Sequence, residues 1–188
     1  MKAIILLATA AIALPFVVSG VAPGHRPVAD RFLERAFLVT PTIPPDDGEA
    51  RNANEPHKVV DAGNLLAWVS KNPAAAQAYA WQVMPLDFLY LAVLGAFLAL
   101  AANFFASGVA PSSTLAKLPS WTWFIFPAVY VLADFVEGCL IVMMMSQPAT
   151  ISDRAINLLT AFRNVKIGAN GLSIIQIFVL GIAGASWK

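Results

Sequence analysis

Charge is what this chain is short of. Only 12% of its 188 residues are Asp, Glu, Lys or Arg, whereas 59% are hydrophobic and the mean hydropathy is +0.70. A soluble domain needs about 25% charged residues to wet its surface. The deficit places the chain among membrane proteins. A net charge of +1 is too weak to call for nucleic acid or for a polybasic lipid-binding arm. The lone cysteine, Cys139, excludes an internal disulfide and any CxxC redox pair. Histidine is nearly as scarce: His25 and His57 both lie in a polar stretch and offer no inward pair for a haem. A metal site there would need Asp30 or Asp61 folded close, and a solvated loop is the simpler reading. No serine neighbours a histidine as a triad requires, and no phosphate-binding glycine fingerprint occurs. No catalytic residue, cofactor or metal is expected, and the chain is expected not to be an enzyme.

What is abundant is long apolar sequence. Crossing about 30 Å of hydrocarbon takes about 20 helical residues. Three runs meet this: Ala3 to Ala22, Leu86 to Val109 and Trp121 to Met145. A fourth, Gly171 to Ser186, is long enough only if its helix starts upstream, near Arg163 or before. The expected fold is all-α: four transmembrane helices (about 3–22, 86–109, 121–145 and 160–186) in one membrane domain. The first run also resembles a secretory signal, with Lys2 ahead of an apolar core and Val18-Ser19-Gly20 as a cleavage site. Retention as a span and cleavage both stay open. Pro15 is expected to kink this helix. Trp81, Trp121, Trp123 and Trp187 fall near span ends, as an aromatic belt predicts. Phe104, Phe105 and Tyr90 read as lipid-facing.

Residues 23–81 are expected to form a partly helical extramembrane cap. Pro27 to Leu38 puts Ala29, Phe32, Leu33, Ala36 and Phe37 on one face and Asp30, Arg31, Glu34 and Arg35 on the other, an interfacial helix pattern. Thr40 to Lys58 reads as loop. Asp61 is a candidate cap for a helix through Leu65 and Trp68 to about Ser70, and Asn72-Pro73 starts another. Pro85 is expected to kink or restart the helix that enters the second span. Orientation stays open: basic residues favour the loops inside, whereas the signal-like start favours the N-terminus inside.

The third run contains the anomaly. Asp134 and Glu137 sit mid-run, three residues apart and so on one helical face, with Tyr130 and Ile141. An unpaired charge at that depth costs about 2.5–3.5 kcal/mol even on the lenient insertion scale. Runs three and four make an antiparallel hairpin turning near residue 150, where residues equidistant from the turn share a height. Glu137 then faces Arg163, and Asp134 faces Lys166. These bases are also three apart, and Asn170 and Ser173 continue their stripe. The pairing requires the fourth helix to begin near Asp153, a candidate cap. Asp87, at the start of the second run, is a further candidate for the layer. Ala92, Ala96, Ala99, Asn103 and Ser107 read as a close-packing face, and Gly181 and Gly184 as points of close approach. Met143, Met144 and Met145 read as packing or lipid contact.

Pro85-Leu86-Asp87-Phe88-Leu89-Tyr90, with Pro127 and Ala133-Asp134-Phe135-Val136-Glu137, resembles a group of small bacterial four-helix integral membrane proteins of unknown function. These carry L-D-x-x-F in the second helix, D-x-x-E-N in the third and a basic residue early in the fourth. Gly138 stands here where Asn is usual, and the likeness covers about the last hundred residues. The resemblance implies four helices, a shared charged layer and a bacterial inner-membrane location, and supplies no activity. The expected function is structural: an accessory subunit or assembly factor whose partners are the lipid bilayer and other membrane-protein subunits, with no nucleic acid. The alternative is a small transporter or channel that uses the acidic and basic cluster.

Overall fold

In the computed structural model, residues 2–21 and 62–185 are described, and every regular element among them is helical. The main helices are α1 (Lys2–Val21), α2 (Ala62–Lys71), α3 (Pro73–Ala78), α4 (Met84–Ser107), α5 (Ile125–Ser146) and α6 (Asp153–Ala185). A π turn, Tyr79–Val83, joins α3 to α4, and short 3-10 turns cover Leu115–Lys117, Ser120–Phe124 and Pro148–Thr150. Three helical stretches are long and apolar enough to cross a membrane: Pro73–Ser107, Ser120–Ser146 and Asp153–Ala185. The expected interfacial helix at Pro27–Leu38, the Asp61 cap and Trp187 lie outside the described residues.

The chain divides into two units. One comprises Met1–Val17, Asp87–Gly138 and Ala161–Lys188, the other Val18–Leu86 and Cys139–Thr160. In the second unit, α2 ends at Lys71 and α3 begins at Pro73, where a missing N–H costs a helix nothing. Asn72 does not cap α3 with its side chain. Its amide instead donates back to the Trp68 carbonyl at 3.0 Å and closes the end of α2. Leu65, Trp68 and Val69 form the buried stripe of α2, which packs on the turn Pro148–Thr150. That turn is tied by Thr150, whose hydroxyl donates to the Gln147 carbonyl at 2.8 Å.

Pro85 does not restart the helix, one of the two outcomes expected of it. A proline ring clashes with the carbonyl four residues earlier, here that of Trp81. The chain relieves this by widening one turn: the Met84 N–H reaches five residues back, to the Tyr79 carbonyl. The helix therefore runs unbroken from Pro73 to Ser107, and its first turns come from sequence that reads as cap. The last helix, α6, starts at Asp153, but the cap is Ser152. The Ser152 hydroxyl accepts the Ala155 N–H at 3.3 Å, an N-cap bond, and Asp153 occupies the first turn.

In the first unit, Leu91, Leu98, Tyr130 and Ala169 form a buried cluster drawn from α4, α5 and α6. The expected packing stripe of α4 is displaced. Ala92, Asn103 and Ser107 are exposed, while Leu91, Gly95, Leu98, Ala101 and Ala102 are buried. In lipid both faces are apolar, so small residues alone do not mark the inner one. The close approaches fall at glycines. A Cβ on Gly95 would collide with the Val131 side chain. One on Gly184 would sit 3.3 Å from the Gly108 carbonyl oxygen. Gly181 faces the Phe105 ring. Met144 and Met145 are buried, whereas Met143 is exposed.

Gly95→Leu is therefore expected to lower stability by roughly 1–3 kcal/mol through overpacking. Gly168→Leu, where a Cβ meets nothing within 4 Å, is expected to be neutral. Thermal unfolding of both variants in detergent compares them directly.

Candidate functional site: a charged layer between two helices

The hairpin of α5 and α6 brings the four central charges together within the first unit. Arg163 Nε donates to Glu137 Oε1 at 2.9 Å, and Lys166 Nζ to Asp134 Oδ1 at 3.0 Å. Lys166 makes a second ionic contact, 2.6 Å from Glu137 Oε2. That contact lacks hydrogen-bond alignment, since Oε2 has no hydrogen-bond partner. The acids lie deepest: the side chains of Glu137 and Asp134 are 3% and 9% exposed, those of Arg163 and Lys166 16% and 26%.

Helix geometry accounts for the arrangement. Asp134 and Glu137 occupy one face of α5, and Arg163 and Lys166 one face of α6, each pair about 4.5 Å apart along its axis. Antiparallel helices set the pairs opposite one another. Lysine carries its charge on a flexible four-carbon stem, which lets Lys166 reach one turn beyond Asp134 to Glu137. Glu137 thus serves both bases and Lys166 both acids, while Arg163 and Asp134 have one partner each within the quartet.

The layer extends beyond the four charges. Tyr130, one turn along α5 from Asp134, is buried, and its hydroxyl interacts with that carboxylate. Tyr90 of α4 does not simply face lipid. It is half-buried and lies within electrostatic reach of Asp87, Asp134 and Lys166. Asp87 is half-buried and lies within electrostatic reach of both tyrosines. Nothing in the sequence signals Tyr90, because the rotation of α4 relative to α5 is set only by packing. Phe88 and Phe135, each one residue from a layer acid, meet with ring centroids 5.4 Å apart and join α4 to α5 there. Farther along α6, Ser173 is fully buried and donates to the Ala169 carbonyl at 2.8 Å. Gln176 donates to the Trp123 carbonyl at 2.8 Å and ties α6 to the start of the other hairpin arm.

Two polar atoms in the stripe are buried with no hydrogen-bond partner among the described residues: Arg163 Nη2 and Asn170 Oδ1. Arg163 therefore engages its carboxylate through one nitrogen and not in the bidentate fork that suits it best. Among the described residues, no group of three His, Cys, Asp or Glu side chains is placed to hold a metal. No protein-family model, curated protein or solved structure matches the chain. The likeness to small four-helix bacterial membrane proteins thus rests on its short motifs alone.

The unequal sharing has a measurable consequence. Arg163→Met leaves Glu137 with Lys166, whereas Lys166→Met takes from Asp134 its cation in the quartet. Breaking a buried pair by removing one partner costs about 3–5 kcal/mol. Lys166→Met is expected to approach that loss and Arg163→Met to fall clearly below it. Denaturant unfolding of the two variants ranks them, and equal losses would contradict the sharing.

Proposed function

We propose that the chain is a non-enzymatic, multi-pass membrane protein of four spans, with α1 as the first and residues 23–81 contributing an extramembrane cap. Its role is structural: an accessory subunit or assembly factor within a larger membrane complex, in keeping with the bacterial inner membrane that the motif resemblance implies. The observation that carries this reading is the charge balance of the layer. Two acids and two bases neutralise one another at 2.6–3.0 Å. Such pairs fix helix register where lipid supplies no hydrophobic force between helices. The three candidate spans also bury only 17–39% of their apolar windows, leaving broad faces for lipid and neighbouring subunits.

A transporter or channel is the second reading, favoured by the unpartnered Arg163 Nη2 and Asn170 Oδ1. Ionisable groups within a membrane mark ion and solute paths by default, and two well-made ion pairs do not need extra buried polar atoms.

Exchange of charge separates the two. Swapping only Glu137 and Arg163 would set a new arginine against Lys166, so the informative variant exchanges all four: Asp134→Lys, Glu137→Arg, Arg163→Glu and Lys166→Asp. A structural layer predicts a folded protein that still co-purifies with its partner chains after gentle detergent extraction. A protein that folds and keeps its partners but has lost a vesicle-flux activity of the parent would favour transport. A parent chain that extracts alone and monodisperse would sink the subunit reading.

A further inference from the structure

We propose that the inner face of α6 borders a proton path, in which Tyr130, Asp134, Lys166 and Glu137 pass one proton along the bundle. This rests on the transport reading above and gives it a substrate, the proton. It is compatible with an accessory role, since a subunit of a larger complex can also carry protons.

The polar stripe on α6 is longer than charge pairing needs. Arg163, Lys166, Asn170 and Ser173 follow one another in steps of three and four, all buried or half-buried. Neither ion pair uses Asn170 or Ser173. Polar side chains are costly in hydrocarbon, so register alone does not explain them. The hairpin register that sets Glu137 opposite Arg163 and Asp134 opposite Lys166 also sets Tyr130 at the height of Asn170. The Ser173 hydroxyl donates to the Ala169 carbonyl, and its oxygen keeps acceptor capacity.

Close contacts link the titratable groups end to end. The Tyr130 hydroxyl interacts with the Asp134 carboxylate. Lys166 Nζ lies 3.0 Å from Asp134 Oδ1 and 2.6 Å from Glu137 Oε2. Glu137 is the deepest member, 3% exposed, and its Oε2 accepts no hydrogen bond. The two unpartnered atoms of the stripe flank this chain. Asn170 Oδ1, an acceptor, lies one turn beyond Lys166 on the Tyr130 side, and Arg163 Nη2, a donor, lies on the Glu137 side. Each can bind water, which bonds buried polar groups of either kind. α4 adds two more titratable groups beside the chain, Tyr90 and Asp87.

The transfer balances. Rotation of the Lys166 ammonium aligns one N–H with Glu137 Oε2; that N–H bond breaks and an O–H bond forms, leaving a neutral amine beside a carboxylic acid. In hydrocarbon this neutral pair competes with the ion pair, because both ions lose their solvation. Tyr130 gives its hydroxyl proton to Asp134 and takes another from water at Asn170, so the phenol ends neutral. Asp134 passes its proton to the amine and restores the ammonium. Arg163, which keeps its own protons, holds Glu137 Oε1 at 2.9 Å and favours the return of Glu137 to the anion. Glu137 then releases its proton to water at Arg163 Nη2. One proton has moved from the Asn170 side to the Arg163 side, and every group is restored.

The test uses the purified full chain in lipid vesicles that contain a pH-sensitive dye, with a membrane potential imposed. The parent is expected to pass protons above the leak of protein-free vesicles, and to do so more slowly in D2O. Glu137→Gln is expected to lower the flux roughly a hundredfold. Tyr130→Phe, which keeps all four charges, is expected to do the same while remaining folded, as its unfolding temperature will show. Asn164→Leu, at an exposed position of α6, is expected to conduct like the parent. A folded Tyr130→Phe that conducts like the parent would overturn the path. Passage of potassium or chloride without protons would overturn the proposal and leave the transport reading standing. No flux of any ion would overturn both and leave only the accessory role.

Discussion

An ion placed in hydrocarbon has no solvent to fall back on, so the fold must deliver its counter-ion. The α5–α6 hairpin meets that demand with four side chains. The requirement reaches well past the four residues. Glu137 and Arg163 meet only if the turn after Ser146 has the right length, and only if α6 begins at Ser152–Asp153. α6 must also stay helical through a stretch too polar to resemble a membrane span. The bond from Thr150 to Gln147 ties the turn locally, and the Ser152 cap fixes the start of α6. The Phe88–Phe135 contact brings α4 to the same level, where Tyr90 and Asp87 join the electrostatic environment. Charge neutrality at one height thus dictates helix starts, turn length and the approach of a third helix.

The layer also differs from two isolated pairs. Because Lys166 touches both acids, the four charges act as one unit, and a change at one is felt at the others. Interaction energies within such a unit are not additive. The gradient of exposure runs the same way: acids inside, bases toward the periphery. The long stems of lysine and arginine allow this, since they cover apolar surface while carrying charge outward.

Some of this was legible in the sequence. Counting outward from a turn near residue 150 places Glu137 opposite Arg163 and Asp134 opposite Lys166, because rise per residue is the same in both helices. The extra contact from Lys166 to Glu137 was not legible, since it depends on a side chain bending along the axis. Ser152 caps α6 in place of Asp153, since both residue types are good caps and only backbone geometry decides between them. Pro85 reads as a kink or a restart because the sequence does not reveal whether a helix will widen by one residue. The inner face of α4 was misplaced for a more general reason. In water a helix declares its buried side by contrast with a polar one, and a span with two apolar sides has no such contrast. Where polar residues exist, on α5 and α6, the face was readable.

The order of the four charges along the chain bears on how the protein is made. Glu137 and Asp134 precede their partners by 26 and 32 residues. At about 5–20 residues per second, α5 leaves the ribosome about one to six seconds before the bases that neutralise it. During that interval a solitary α5 would enter the bilayer with two uncompensated carboxylates. Insertion of α5 and α6 together, as one hairpin, would avoid that cost. The smallest piece of the chain with its central charges matched is then the α5–α6 hairpin and not either helix alone.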